Sequence, residues 1–345
     1  MRINYAKSEL IPLGVEGDSL TPFVNIFGCT VGMFPIKYLG IPLHYDKLRR
    51  EDIQPLIDKI LKRMAGWRGK LLSYSARLTL IKACLASIPV YLLSFFKFPK
   101  WALDLINNQL AHCLWSDFEG NRKLHLANWH LVCMKKEHGG LGVPNIKDLN
   151  LCLLGSWVKR YAQDEGKIWK KIIDNKYLRN SPNIFACRPQ ASSKFWQGVM
   201  WAAKALKFGY RWVVGNGRKT RFWEDIWFGT SPLSVQFWPL YAICHQQCVT
   251  VSDVWDGDTI KLTFSRVFTP AMMEEWYCLE QIIKETTLTG EEDDMIWQYE
   301  SKGVYSSSSL YAIINFRGGE TCLYSFSLVY CSATQSSGLS LAAGP

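Results

Sequence analysis

Residues 53–64 read Ile53-Gln54-Pro55-Leu56-Ile57-Asp58-Lys59-Ile60-Leu61-Lys62-Arg63-Met64. Ile53, Ile57, Ile60, Leu61 and Met64 recur at the 3.6-residue period and make one apolar stripe, while Lys59, Lys62 and Arg63 fall mostly on other faces. This is the pattern of an amphipathic helix, and it repeats downstream. A second helix starts near Ser73 or Ser75, carries Leu78, Ile81, Leu85 and Ile88, and stops at Pro89. A third begins near Pro99, where proline suits the first helical position, and carries Leu103, Ile106, Leu110 and Leu114. Three consecutive amphipathic helices with short links predict a helical bundle over residues 46–118.

Upstream, residues 1–45 read as short strands and turns around one helix, which Ser19 caps and Gly28 ends. In Ile36-Lys37-Tyr38-Leu39-Gly40-Ile41-Pro42-Leu43 a strand-like run breaks at a glycine, restarts and stops at a proline. Downstream, His138 to Pro144 is a glycine-rich turn before a helix through Leu149, Leu153, Leu154 and Trp157. A short basic helix over 167–177 turns Trp169, Ile172 and Ile173 inward. At 210–214 the period becomes that of a strand. Gly215-Asn216-Gly217 then signals a hairpin, with 218–223 as its return strand. From about 231 the chain turns acidic and less periodic, and 318–345 is a Ser-, Gly- and Ala-rich tail expected to be disordered. The expected fold class is mainly α with small β elements.

The 345 residues are 48% hydrophobic and 20% charged, enough for two or three domains with real cores. Fifteen tryptophans favour either a packed aromatic interior or a surface that receives flat partners such as bases. Residues 1–230 hold 35 Lys and Arg against 17 Asp and Glu (net +18), and 231–345 hold 5 against 13 (net −8). A basic body suggests polyanion binding, and the acidic end could fold back and mask it. The N-terminus lacks the apolar core of a signal peptide, and no apolar run approaches the ~18 residues of a membrane span. Eleven cysteines without pairing spacing read as reduced thiols, so the expected location is nucleus or cytoplasm.

Several segments together resemble the plant form of the non-LTR (LINE-type) retrotransposon reverse transcriptases. They begin with Ile3-Asn4-Tyr5-Ala6-Lys7-Ser8-Glu9 and the 36–43 turn. Trp67-Arg68-Gly69-Lys70-Leu71-Leu72-Ser73 with Arg77 to Lys82 follows, then Gly139-Gly140-Leu141-Gly142. Gly215-Asn216-Gly217 with Thr220-Arg221-Phe222-Trp223, and Trp297 with Gly303-Val304-Tyr305-Ser306, complete the series. Each is weak alone; order and spacing carry the match. The resemblance implies a palm remnant (1–45), a thumb-like helical domain (46–118), a connector (119–230) and an acidic segment (231–317) leading to the family's reverse-transcriptase zinc-binding region. It implies a primer-grip role for Lys37, Tyr38, Leu39 and Gly40. It also makes Lys7, Lys62, Arg63, Arg68, Lys70, Arg77 and Lys82 candidates for nucleic-acid contact.

The interleaved cations and aromatics around Arg211, Arg218, Lys219 and Arg221 suit single-stranded RNA, or equally a tryptophan-anchored hairpin whose arginines face water. Trp223 and Trp227 read as core. The family's metal-binding aspartates fall upstream of the segment that Lys7 occupies, so the expectation is an RNA-directed DNA polymerase fragment without catalysis. No cofactor is expected in this chain, since the family's Mg²⁺ is held by residues not in it. RNA template or DNA target remains the expected partner, with no membrane. Glu291-Glu292-Asp293-Asp294 reads as a solvated loop, and Cys244-His245-Gln246-Gln247-Cys248 lacks a second ligand pair for zinc. His125, His130, Cys133 and His138 read as packing residues. The alternatives are a domesticated protein-interaction scaffold or the product of a decayed element.

Overall fold

The computed structural model describes residues 8–12, 20–43, 48–68, 72–115, 127–164, 166–179, 181–187 and 192–315, and for 67 and 68 the backbone alone. The chain divides into two compact units, Met1–Asp58 and Lys59–Pro345.

In the first unit β1 (Glu9–Leu10) pairs in parallel with β2 (Thr30–Val31). Between them runs α1 (Thr21–Phe27), which ends at Gly28 with φ +60°, its N–H returning to Val24 O. The residue before the helix is Leu20, which offers no side-chain cap, and the expected cap Ser19 lies outside the described residues. β3 (Ile36–Tyr38) and β4 (Ile41–Leu43) form an antiparallel hairpin with Tyr38 opposite Ile41. Pro42 lies inside β4, opposite Lys37, rather than ending the strand.

Helix α2 (Arg50–Arg68) runs through the division. Its buried stripe is Ile53, Leu56, Ile57, Ile60 and Met64. Leu61, expected in the stripe, is 37% exposed, and Leu56, one turn from both Ile53 and Ile60, takes its place.

In the second unit Ser73 accepts the N–H of Ala76 and caps α3 (Tyr74–Leu80), which continues as one π turn over Ile81–Leu85. The π turn ends four residues before Pro89. Ile81 and Leu85 are fully buried. After α4 (Val90–Leu93) comes α5 (Lys100–Trp115), whose first bonds end on the carbonyl of Pro99, so the proline sits just outside the helix. Leu103, Ile106, Leu110 and Leu114 are buried as their spacing requires.

α6 (Trp129–Cys133) is capped by Asn128, and α7 (Ile146–Gln163) by Asn145. α8 (Ile168–Ile173) buries Ile173, but Ile172 is 59% exposed, on the opposite face from the one expected. Ser193 caps α9 (Lys194–Leu206), which packs on α7. Contact there is close because Gly155 has no side chain: a Cβ would lie 2.5 Å from Tyr305 Oη and 2.8 Å from Leu206 Cδ1.

β5 (Tyr210–Val213) pairs antiparallel with β6 (Asp294–Trp297), Tyr210 opposite Trp297. This overturns the hairpin expected over 210–223. Residues 220–222 turn instead toward 249–251, with Phe222 N donating to Val249 O and Val251 N to Thr220 O. The short helices α10 (Leu233–Gln236), α11 (Trp238–Ile243) and α12 (Val251–Val254) then lead to α13 (Pro270–Glu285). β6 and α14 (Ser307–Ile314) close the described part, α14 against α7.

Two aromatic cores organise this unit. One gathers Trp196, Leu206, Tyr210, Trp297 and Tyr305, and the other Trp212, Phe222, Trp223, Trp227, Trp255 and Leu279. Trp223 and Trp227 are core residues, as expected. Their indole N–H groups, with those of Trp255 and Trp297, donate to Gln246 O, Phe222 O, Thr286 O and Ser309 Oγ. An indole needs such a partner when buried, so much of the tryptophan content is structural. Mainly helical architecture with short strands is what the periodicity predicted. The tail 318–345 lies outside the described residues, as do His125, Cys322 and Cys331.

Candidate nucleic-acid interface

The β3–β4 turn is exposed. Leu39 and Gly40 both have positive φ, +49° and +82°, the geometry of a two-residue hairpin turn matched to strand twist. Glycine takes it freely, but leucine there costs on the order of 1 kcal/mol. Tyr38 is 62% and Leu39 75% exposed, and Lys37 is exposed beside them. The segment expected to act as a grip is therefore a protruding tip that offers a cation, a phenol and an apolar side chain to solvent.

On α2 the buried stripe leaves Lys59, Lys62 and Arg63 on the outer face, all exposed. Arg77 is held locally: its Nε donates to Leu72 O, and its guanidinium lies 5.7 Å from the Tyr74 ring centroid. Lys82 sits in the π turn, half-buried, beside the glycine-rich loop, where its Nζ is 3.4 Å from the position of a Cβ on Gly142. Burial lowers its pKa first, and the nearby Lys136 lowers it further. Two like charges side by side favour an anion between them. Lys7 and Lys70, and the side chain of Arg68, lie outside the described residues.

The 215–225 loop is where the structure departs most from expectation. Its organiser is Asp293, from the acidic run read as a solvated loop. Asp293 is buried, and its Oδ1 accepts the N–H groups of Gly215 and Gly217, both at 2.8 Å. Its Oδ2 accepts those of Lys219 and Thr220, at 2.8 and 2.9 Å, and the Thr220 hydroxyl at 3.0 Å. Burial pushes its pKa up, but the four backbone donors outweigh burial and hold it below the ordinary aspartate value. Wrapped round a carboxylate, the chain cannot also turn back along β5. Gly217 still needs its φ of +70°, while Asn216 makes no left-handed turn and accepts the N–H of Arg218 through its side chain.

The same folding removes cations from the candidate set. Arg221 is buried, and its guanidinium pairs with Glu224 at 2.6 Å, so it neither faces water nor reaches a ligand. Lys219 pairs with Glu292. Lys207 lies 3.3 Å from Glu224 and 3.7 Å from Asp225. Asp225 is buried and joined to Asn183, which also donates to Lys219 O; burial raises its pKa despite these partners. Arg211 and Arg218 remain exposed. The acidic run thus folds onto the basic loop, as the charge asymmetry suggested it could.

Among the described residues no group of three or more His, Cys, Asp or Glu is placed to hold a metal. Cys244 is buried with its Sγ toward Gln246 Oε1, and Cys248 is exposed. The Cys133 thiol is pushed up to about 12, by burial first and then by the charge of Asp148, which leaves it unreactive. No helix among the described residues is long and apolar enough to cross a membrane.

No protein-family model matches the chain. A protein of Arabidopsis thaliana named "Putative ribonuclease H protein" is 27% identical over 281 residues. The match covers 79% of this chain and 44% of that relative, so the chain spans less than half of the relative's length.

Proposed function

We propose that this chain is the nucleic-acid-holding part of a retrotransposon reverse-transcriptase-type protein, positioning an RNA template or DNA target through its phosphate backbone. The observation that carries this reading is α2: one face is buried along the helix, and the other presents Lys59, Lys62 and Arg63 to solvent. A helix fixed on one side holds its cations in a rigid row, and such a row fixes the register of a nucleic acid without reading its sequence. Lys82 beside Lys136 adds a second point of positive charge. The exposed Lys37-Tyr38-Leu39-Gly40 tip puts a cation and a phenol at the surface, which supports a primer-grip role. The plant relative's name, a ribonuclease, points to the same class of partner.

The test is binding of a labelled RNA, followed by fluorescence anisotropy between about 50 and 200 mM salt. Counterion release requires log K to fall linearly with log salt, and replacing Lys62 and Arg63 by Gln should weaken binding and flatten that slope. Absence of binding at the lowest salt overturns the reading. Salt-insensitive capture of a protein partner without RNA affinity would favour the scaffold alternative.

A further inference from the structure

A cavity of about 430 Å³ lies in the second unit, and neither α2 nor the 215–225 loop contributes to its lining. One face of α5 forms its floor: Lys100, Leu103, Asp104 and Asn107 stand at successive i, i+3, i+4 and i+7 positions. Lys97, Lys147 and Trp201 close one end and Trp129 lies toward the other, its indole N–H donating to Asn107 Oδ1.

Lys97 is fixed in place by a buried polar strut. Asn150 accepts the N–H of Phe98 and donates to Leu93 O and Phe96 O, which ties the 93–98 segment to α7. The Lys97 ammonium lies 4.8 Å from the Trp201 ring centroid, and no described carboxylate comes within ion-pair distance of it. Burial lowers its pKa, and the neighbouring charges of Lys204 and Lys147 lower it further. The first turn of α5, between Lys97 and the rest of the cavity, carries no acidic side chain to offset its positive end. Lys97 and Lys100, at this end of the cavity, therefore have no described carboxylate partner. By the rise per residue, Asp104 stands about 6 Å along the helix from Lys100, and Asn107, which holds the Trp129 indole at the other end, about 10 Å.

We propose that this cavity takes one nucleotide of a single-stranded nucleic acid, with the phosphate at Lys97 and Lys100 and the base against Trp129. A phosphate at the lysine end supplies the missing countercharge. Asp104, between the two ends, would repel a phosphate placed beyond Lys100 but can accept the amino or imino hydrogens of a base, which sets the direction of the nucleotide. The cavity is too small for a duplex, so a splayed-out base is the form that fits. The proposal rests on the nucleic-acid-holding reading above and adds a site separate from α2.

The experiment labels the full chain with 5-fluorotryptophan and assigns the Trp129 and Trp201 ¹⁹F resonances with Trp129→Phe and Trp201→Phe variants. The 5′-phosphorylated dinucleotide pUpU is then titrated in, and anisotropy with a longer labelled RNA is measured on the same samples. The proposal expects saturable shifts of these two resonances, with those of core residues such as Trp223 and Trp297 fixed. It also expects a roughly tenfold loss of pUpU affinity in Lys97→Gln and again in Lys100→Gln, with far-UV circular dichroism and melting unchanged. Silent Trp129 and Trp201 resonances with the long RNA still bound overturn the cavity and leave the broader reading standing. Silence together with no binding of the long RNA overturns both. Equal shifts and affinity with inorganic phosphate alone overturn the assignment to a nucleotide.

Discussion

The 215–225 loop and the cavity over α5 are both basic and aromatic, and the fold treats them in opposite ways. In the loop, Lys207, Lys219 and Arg221 each meet a carboxylate, and Asp293 absorbs four backbone N–H groups besides. Over α5, Lys97 and Lys100 meet no described carboxylate at ion-pair distance, and the cavity they line is open. What separates a structural cluster from a binding surface is therefore whether the fold has already supplied the countercharge. The loop consumes its charge in holding two distant segments together. At the cavity, Lys97 and Lys100 have no such carboxylate partner.

The sharpest way to break this contrast is at Asp293. Asp293→Asn leaves several buried N–H groups with a neutral, half-mismatched partner, and should cost at least ~3 kcal/mol in urea unfolding. A variant as stable as the wild type would mean the loop is held by something else. The pH dependence follows from the lowered folded-state pKa. The contribution is complete above the unfolded aspartate value of about 3.9 and disappears as pH falls through the lower folded value. The wild type should thus lose stability below about pH 4, and the Asn variant should lose correspondingly less.

Next in size is the split in binding. Lys207→Gln and Lys219→Gln should leave RNA affinity within about twofold. Lys97→Gln should lower it roughly tenfold, since a charge-assisted phosphate contact is worth on the order of 1.4 kcal/mol. Equal losses in the two regions, read by anisotropy, would erase the distinction.

Asp225 gives a smaller effect of opposite sign. Burial raises its pKa, so its ionised form is disfavoured in the fold, and its contribution is lost as pH rises through the folded value. Asp225→Asn keeps an acceptor for Asn183 and should cost only about 1 kcal/mol at neutral pH, well below the cost at Asp293. Smallest is Lys219→Met, which removes the Glu292 pair. Both side chains are largely exposed, so a stability change under about 0.5 kcal/mol is expected, and a larger one in urea unfolding would give that pair a weight the contrast does not assign it.

How much of this was legible in the sequence depends on how far apart the partners lie. Helical stripes are local: Ile53 to Met64 and Leu103 to Leu114 could be read from spacing, and Ser73 from its capping chemistry. The 36–43 hairpin was legible because its strands are separated by two residues. Even local reading slipped where two residues compete for one face, as with Leu56 and Leu61, or Ile172 and Ile173. The alternation at 210–213 announced a strand but could not name its partner, because β6 lies some eighty residues on. The Gly-Asn-Gly signal pointed to the adjacent strand, and the carboxylate that redirects it is as distant. The same separation hid the burial of Asp293 and the neutralisation of Arg221. The cavity was hidden for a related reason, since its residues come from four segments that no spacing rule connects.

Phosphate contact by cations that the fold leaves without a carboxylate partner is tested most directly by the salt dependence of RNA binding. Wild-type chain and the Lys62→Gln/Arg63→Gln/Lys97→Gln variant would be titrated with one labelled single-stranded RNA across about 50 to 200 mM salt. The predicted result is a linear fall of log K with log salt for the wild type, with a slope reduced by about 0.7 for each contacting cation removed. An affinity independent of salt, or a slope unchanged in the triple variant, would contradict it.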